Sequence, residues 1–302
     1  MKKRKITILF LITIILIFAV ADFDPYFLMK EPDVHAKSYI LIDAESHDRL
    51  IGKNEDVPFA AASMSKLMTE YLVLESIENG DLDWKDQVEI SAHASSVEGV
   101  RINVPTGARL TVRDLFNSMV VASANNAAVS LAEAVAGSEE NFTNKMNQQA
   151  REMGLSDLTH FVNATGLSNS ENKESEMTAR DVSKLAVEII DRFPEILEIT
   201  KLSSYQLQYD GAVVQSTNKM LNENNNGLWV EGVDGLKTGF TDQAGYCFTG
   251  TVEQKGKRLV SVVMGTEETD ARFIETKKLF SYGLDEPYIP SFKTVVKEVV
   301  DR

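Results

Sequence analysis

The chain has 302 residues, 25% charged and 43% hydrophobic, with 17 Gly and 7 Pro, a balance that excludes disordered, collagen-like and multi-span membrane classes. Its 45 acidic residues outweigh 31 Lys and Arg to give a net charge of −14, which argues against nucleic acid or any partner gripped through phosphates. The single cysteine, Cys247, rules out an internal disulfide, and the scattered His35, His47, His93 and His160 lack zinc-site spacing, so neither metal nor cofactor is expected.

Lys2, Lys3, Arg4 and Lys5 precede a mostly apolar run from Ile6 to Ala21, the layout of an export signal. As a helix that run would be roughly 24 Å long against a hydrocarbon core of about 30 Å, which is short for a span. Cleavage at Ala19-Val20-Ala21 and retention as an anchor with membrane contact through residues 6–21 both stay open. Either way the chain is expected outside the cytoplasm.

Ser38 to Asp43 and Leu50 to Lys53 read as two strands joined by the turn Glu45-Ser46-His47-Asp48. From Ala61 to Ile77 the sequence is apolar on nearly every face, so a helix there must be buried on most sides. Thr111 with Asp114 caps a helix running towards Val121, and another fits Asn126 to Ala136, closed by Gly137. Helices over Glu139 to Met153 and Ala179 to Asp191 complete a helical middle. Tyr205 to Val214, Leu228 to Leu236, Tyr246 to Val252 and Leu259 to Met264 then read as strands, the last two joined by Lys255-Gly256-Lys257. A helix over Asp270 to Tyr282 offers Phe273, Leu279 and Phe280 to that sheet. The expected fold is α/β: an antiparallel sheet flanked by helices, with a helical lobe inserted between its N- and C-terminal parts.

Three short motifs stand out on this frame. Ser63-Met64-Ser65-Lys66 opens the buried helix, and spacing i, i+3 puts a hydroxyl and an amine on one face. Ser123-Ala124-Asn125 lies between two helices, and Lys237-Thr238-Gly239 ends a predicted strand, where Gly239 removes a Cβ that would obstruct a substrate backbone on the strand edge. Each alone is weak: S-x-x-K recurs at Ser170 and Ser216, S-x-N recurs at Ser216-Thr217-Asn218, and Ser63 or Ser123 could simply cap a helix.

The ordered set, S-x-x-K on a buried helix, S-x-N between helices and K-T-G on a later strand, resembles the penicillin-binding proteins and β-lactamases. Over Ser38 to Tyr282 the chain looks like a low-molecular-weight D-alanyl-D-alanine carboxypeptidase. The stretches Ala61 to Thr69, Asn163 to Leu167, Asp234 to Gly239, Ala244 to Tyr246 and Arg272-Phe273 are similar to that family's signatures. The family usually has Asp where Asn126 stands, and no counterpart of its C-terminal β-domain or amphipathic anchor is read here. The resemblance implies a β-lactamase/DD-peptidase-like fold and divides the chain into signal or anchor plus linker (1–36), catalytic domain (37–285) and short tail (286–302).

It also implies a serine peptidase acting on the peptidoglycan stem peptide, with β-lactams as covalent inhibitors. Ser63 would be the nucleophile and Lys66 its base, with Ser123 passing a proton to the leaving amine. Asn125 would bind the substrate's peptide group; Lys237, Thr238, Gly239 and Arg272 would receive its terminal carboxylate and backbone; the N–H groups of Ser63 and Phe240 would form the oxyanion hole. A lysine of ordinary pKa, about 10.4, is only about 0.04% neutral at pH 7. Lys66 must therefore be perturbed by burial and by Lys237, or else stay charged while Ser123 or the substrate carboxylate carries the proton. For Arg272 a surface ion pair with Glu268 or Glu275 is the plainer alternative. Glu70, a further turn along, reads as a partner of Lys66 or a structural residue, and Cys247 as an inert core thiol.

A DD-endopeptidase would use the same parts. A class A-like β-lactamase needs a second carboxylate after the S-x-N, and residues 160–167 contain none. A non-catalytic wall-peptide or β-lactam sensor is the third alternative.

Overall fold

Period-two burial in the central strands shows why they read as nearly continuous apolar runs. The computed structural model describes residues 31–290 apart from Asn226, so the predicted signal or anchor and the chain end from Phe292 lie outside the described residues. In β1 (Ser38–Asp43), Ile40 and Ile42 enter one core and Tyr39 and Leu41 the other. In β11 (Lys257–Thr266), Val260, Val262 and Met264 oppose Leu259 and Val263 in the same way. Both faces of the sheet are thus covered, and polar alternation disappears.

Along the chain follow β2 (Arg49–Lys53), β3 (Pro58–Ala60), α1 (Lys66–Glu78), β4 (Gln87–Glu89), α2 (Ala92–Ser96), β5 (Arg109–Thr111), α3 (Val112–Ala122), α4 (Asn125–Ala136) and α5 (Glu139–Glu152). After them come β6 (Glu176–Thr178), α6 (Ala179–Arg192), α7 (Ile196–Thr200), β7 (Ser204–Gln206), β8 (Val213–Gln215), β9 (Val233–Thr241), β10 (Gly245–Gln254), and finally, beyond β11, α8 (Ala271–Gly283). The main sheet is antiparallel in the order β2-β1-β11-β10-β9, so the opening hairpin joins the C-terminal strands and everything between is the inserted lobe. α6 packs on β11 and β1 from one side, α8 on β11 and β10 from the other. Phe273 and Phe248 meet edge-to-face at 5.0 Å there; each buried ring of this size contributes roughly 1.5–3 kcal/mol.

Three expectations need correction. Tyr205 to Val214 is a hairpin of two short strands, because Gly211 turns the chain at φ 78°. Residues 228–232 are not strand: Gly232, at φ 78°, brings the backbone against the Glu253 carbonyl, where any Cβ would collide. In consequence the last long edge strand starts at Val233 and continues through the K-T-G to Thr241 instead of ending there.

Candidate active site

The reactive corner begins where β3 ends. Ala62–Ser65 make a single 3-10 turn leading directly into α1, and Ala62 sits at φ 47°, a left-handed setting that costs a residue with a Cβ roughly 1–2 kcal/mol. Such strain persists only where neighbours hold it. Ala61 N–H donates to Ser175 O at 2.9 Å and Met64 N–H to Ala61 O at 3.0 Å, while Ser65 Oγ donates to Ala62 O. Gly239 of β9 lies so near that a Cβ would stand 3.0 Å from Ala61 O and 3.2 Å from the Ala62 Cβ. That glycine therefore makes room for the nucleophile's own turn. Ser63 is left half-buried.

Lys66 is completely buried, and its Nζ has three neighbours in bonding range: Ser63 Oγ at 3.0 Å, Asn125 Oδ1 at 2.7 Å and Thr165 O at 2.7 Å. Two of these accept only. A neutral amine can give its two protons to Asn125 and Thr165, which turns its lone pair towards the Ser63 hydroxyl. Burial, and then the positive charge of Lys237, push the Lys66 pKa well below the ordinary lysine value, against the opposing pull of Glu70 and Glu139.

Thr165 belongs to the loop Asn163-Ala164-Thr165-Gly166-Leu167, which is braced from within. Asn163 Oδ1 accepts from Thr165 N, Thr165 Oγ1 and Gly166 N, and its Nδ2 donates to Leu167 O at 2.7 Å. Thr69 Oγ1 of α1 fastens the loop at Ala164 O, 2.8 Å away.

Ser123 terminates α3 at φ 64°, a left-handed cap. Lys237 Nζ donates to Ser123 Oγ at 2.8 Å and to Thr238 O at 3.1 Å. Burial lowers the Lys237 pKa, Glu70 raises it and Arg272 lowers it again. Asn125, at the start of α4, also donates from Nδ2 to Glu98 O at 2.8 Å. Ser63, Lys66 and Asn125 are thus one bonded group, and Ser123, Lys237 and Thr238 a second, joined through the Ser123–Asn125 backbone.

Thr238 Oγ1 donates to Thr217 Oγ1 at 2.6 Å, and Asn218 Nδ2 reaches Gly235 O at 3.4 Å. The recurrence at Ser216-Thr217-Asn218 is therefore part of the site's wall, and Thr217 is the residue that sequence reasoning missed. Phe240, 46% exposed, stacks on Tyr246 with centroids 4.2 Å apart. Arg272 is no surface residue: only 7% exposed, it directs Nη1 to Gly239 O at 3.0 Å and Cys247 O at 3.4 Å and lies over the rings of Tyr246 and Phe273. That burial takes the guanidinium off the surface and ties it to the backbone of β9. Glu70 is not among the partners of the Lys66 Nζ, which are Ser63, Asn125 and Thr165.

Comparison with known proteins agrees with this geometry. Residues 26–268 match the sequence family described as D-alanyl-D-alanine carboxypeptidase. The chain belongs to that family. The carboxypeptidase is 32% identical over 274 residues to the D-alanyl-D-alanine carboxypeptidase DacF of Bacillus subtilis, covering 88% of this chain and 68% of the relative. Penicillin-binding protein D2 from Listeria monocytogenes, solved with ampicillin bound, superposes with a TM-score of 0.76 at 35% identity, covering 84% of this chain and 99% of that one. PBP3 from Streptococcus pneumoniae gives 0.78 at 36% identity, over 83% and 74%. The fold is that of the penicillin-binding DD-peptidases, and the carboxypeptidase is a serine-type peptidase of that class.

Proposed function

We propose that this carboxypeptidase removes the terminal D-alanine of peptidoglycan stem pentapeptides through an acyl-enzyme on Ser63. Neutral Lys66 takes the Ser63 proton as Oγ attacks the carbonyl between the two D-alanines. The developing oxyanion meets the N–H groups of Ser63 and Phe240. Successive peptide groups of a strand point to opposite edges, so the Phe240 N–H shares an edge with the Thr238 carbonyl that faces the Lys237 ammonium. Ser123 delivers the proton that lets D-alanine leave as an amine, and water then restores Ser63. Lys237 and Thr238 hold the terminal carboxylate, Asn125 the acyl-side peptide group, and Arg272 keeps the Gly239 carbonyl in register.

The observation that carries this reading is the Lys66 amine with two pure acceptors and one hydroxyl around it, the arrangement of a base aimed at a nucleophile. By likeness to the ampicillin-bound Listeria protein, β-lactams should acylate Ser63 as well. Residues 160–167 bring carbonyls and amides to the site and no carboxylate, so the penicilloyl ester should hydrolyse slowly. The substrate lies outside the cytoplasm, where the basic and apolar N-terminal segment would deliver the chain.

The test uses protein starting at Lys37 and a diacetyl-Lys-D-Ala-D-Ala peptide. Free D-alanine, a penicillin adduct seen by mass, and loss of both in Ser63→Ala are expected. Penicillin acylation without D-alanine release would mark a sensor, and rapid steady hydrolysis of the drug a β-lactamase.

A further inference from the structure

Two lysines, Lys66 and Lys237, share one buried cleft, 0% and 1% exposed, and the charge of Lys237 disfavours a proton on Lys66. One helical turn below Lys66 on α1 lies Glu70, 1% exposed, with Oε1 hydrogen-bonded to nothing. A buried carboxylate oxygen without a donor costs stability unless charge elsewhere compensates it. The charges acting on Glu70 are Lys237, from β9, and Lys66, from its own helix. Glu139 of α5 acts on Lys66 and Arg272 of α8 on Lys237.

Resting on the function proposed above, we infer that Glu70 is a positioning residue of the site: its carboxylate is the fixed counter-charge that lets Lys237 keep its proton for the substrate carboxylate while Lys66 gives its own up to act as base. Burial pushes the Glu70 carboxyl up to about 7 against the pull of Lys237 and Lys66; above that, with Glu70 ionised, Lys66 neutral and Lys237 charged, the buried trio has no net charge, the arrangement of the three that is least costly to desolvate. The serine and both lysines would be unchanged without Glu70, but the division of protons between the lysines would not. The direction follows from the signs: Glu70 raises the proton affinity of both lysines, so removing it lowers both. Lys66 becomes a competent base at lower pH, and Lys237 loses the carboxylate-binding charge at lower pH.

The test is Glu70→Gln, which keeps shape and removes charge. The whole bell of kcat/KM against pH should move towards acid by about one unit, with the alkaline loss falling on KM for the carboxylate-bearing peptide. Glu70→Asp should restore the wild-type profile. A Gln profile superimposed on the wild-type one would overturn the proposal. Lysine ε-carbon NMR titrations of wild type and Gln variant read the same shifts without turnover. They decide the role of Glu70 even if the peptide assay rejects the proposed function, and unmoved titrations count against it. Should the Gln variant not fold, the carboxyl-carbon titration of Glu70 in wild type decides: a carboxylate ionised throughout the pH range of activity supports the inference, and a carboxyl still protonated there overturns it.

Discussion

Gly166 and Ala62 are pressed together so closely that a Cβ on the glycine would run into the Ala62 carbonyl oxygen and the Ser65 hydroxyl. Gly166 also stands at φ 78°. The Asn163–Leu167 loop therefore does two things: it offers Thr165 O to Lys66 and it backs the strained turn carrying Ser63. Gly166→Ala should destabilise by about 1–3 kcal/mol through overpacking, with roughly 1–2 kcal/mol more from the left-handed backbone, and should slow acylation by penicillin. Urea midpoints and acylation rates check this, and a variant matching wild type in both would show that the loop does not hold the turn.

Lys66 makes the protein's stability depend on pH with a definite sign. Its folded pKa is depressed by burial and by Lys237, whereas the unfolded chain titrates at about 10.4. Between those values the unfolded state binds more protons, so stability attributable to Lys66 rises with pH, by up to about 1.4 kcal/mol per unit. Unfolding free energies from pH 7 to 10 should therefore climb more steeply for wild type than for Lys66→Met. Parallel curves would mean that Lys66 is not neutralised on folding.

Local signals carried much of this architecture. The opening hairpin, the Thr111 cap with Asp114 at 3.0 Å and the Gly137 stop are each decided within a few residues, and the fully apolar surround of Ser63–Lys66 announced a buried helix. What escaped depends on residues far apart in sequence. Thr217 matters only because β9 lies across from it, and β3 pairs with β6 from Pro58 to Thr178 over three residues too short for a periodic pattern. Arg272 looked like a choice between a surface pair and a substrate ligand. Among the described residues it reaches two backbone carbonyls, of Gly239 and Cys247, contacts that no side-chain pattern encodes.

Cys247 should behave as inert core. Its thiol is fully buried on β10, accepts from Gly265 N–H at 3.4 Å and is pushed up to about 11 chiefly by burial. Thiolate is the reactive form, so a disulfide reagent should leave the native protein unmodified at pH 8 and modify it fully in guanidinium. Rapid native modification would place this strand nearer solvent than described.

Asn126, where the resemblance leads one to expect Asp, has a structural reason to be an amide. It is 2% exposed, accepts from Ile102 N–H at 3.1 Å and donates to Ile102 O at 2.9 Å. This two-way grip fixes residue 102 to α4. The same stretch supplies Val100 O, which accepts from Asn125 N–H at 2.7 Å, and Glu98 O, which accepts from Asn125 Nδ2 at 2.8 Å. An aspartate offers no donor when ionised. Asn126→Asp would therefore leave the Ile102 carbonyl without its partner and set a buried charge against it, at a cost of about 1–3 kcal/mol or more. The loss should appear as a lower denaturation midpoint, and as a higher KM for the peptide, since Asn125 would lose its fixed surroundings, with penicillin acylation at saturation much less affected. If Asn126→Asp proved as stable as wild type with an unchanged KM, the loop from 98 to 102 would have to be held by contacts other than Asn126.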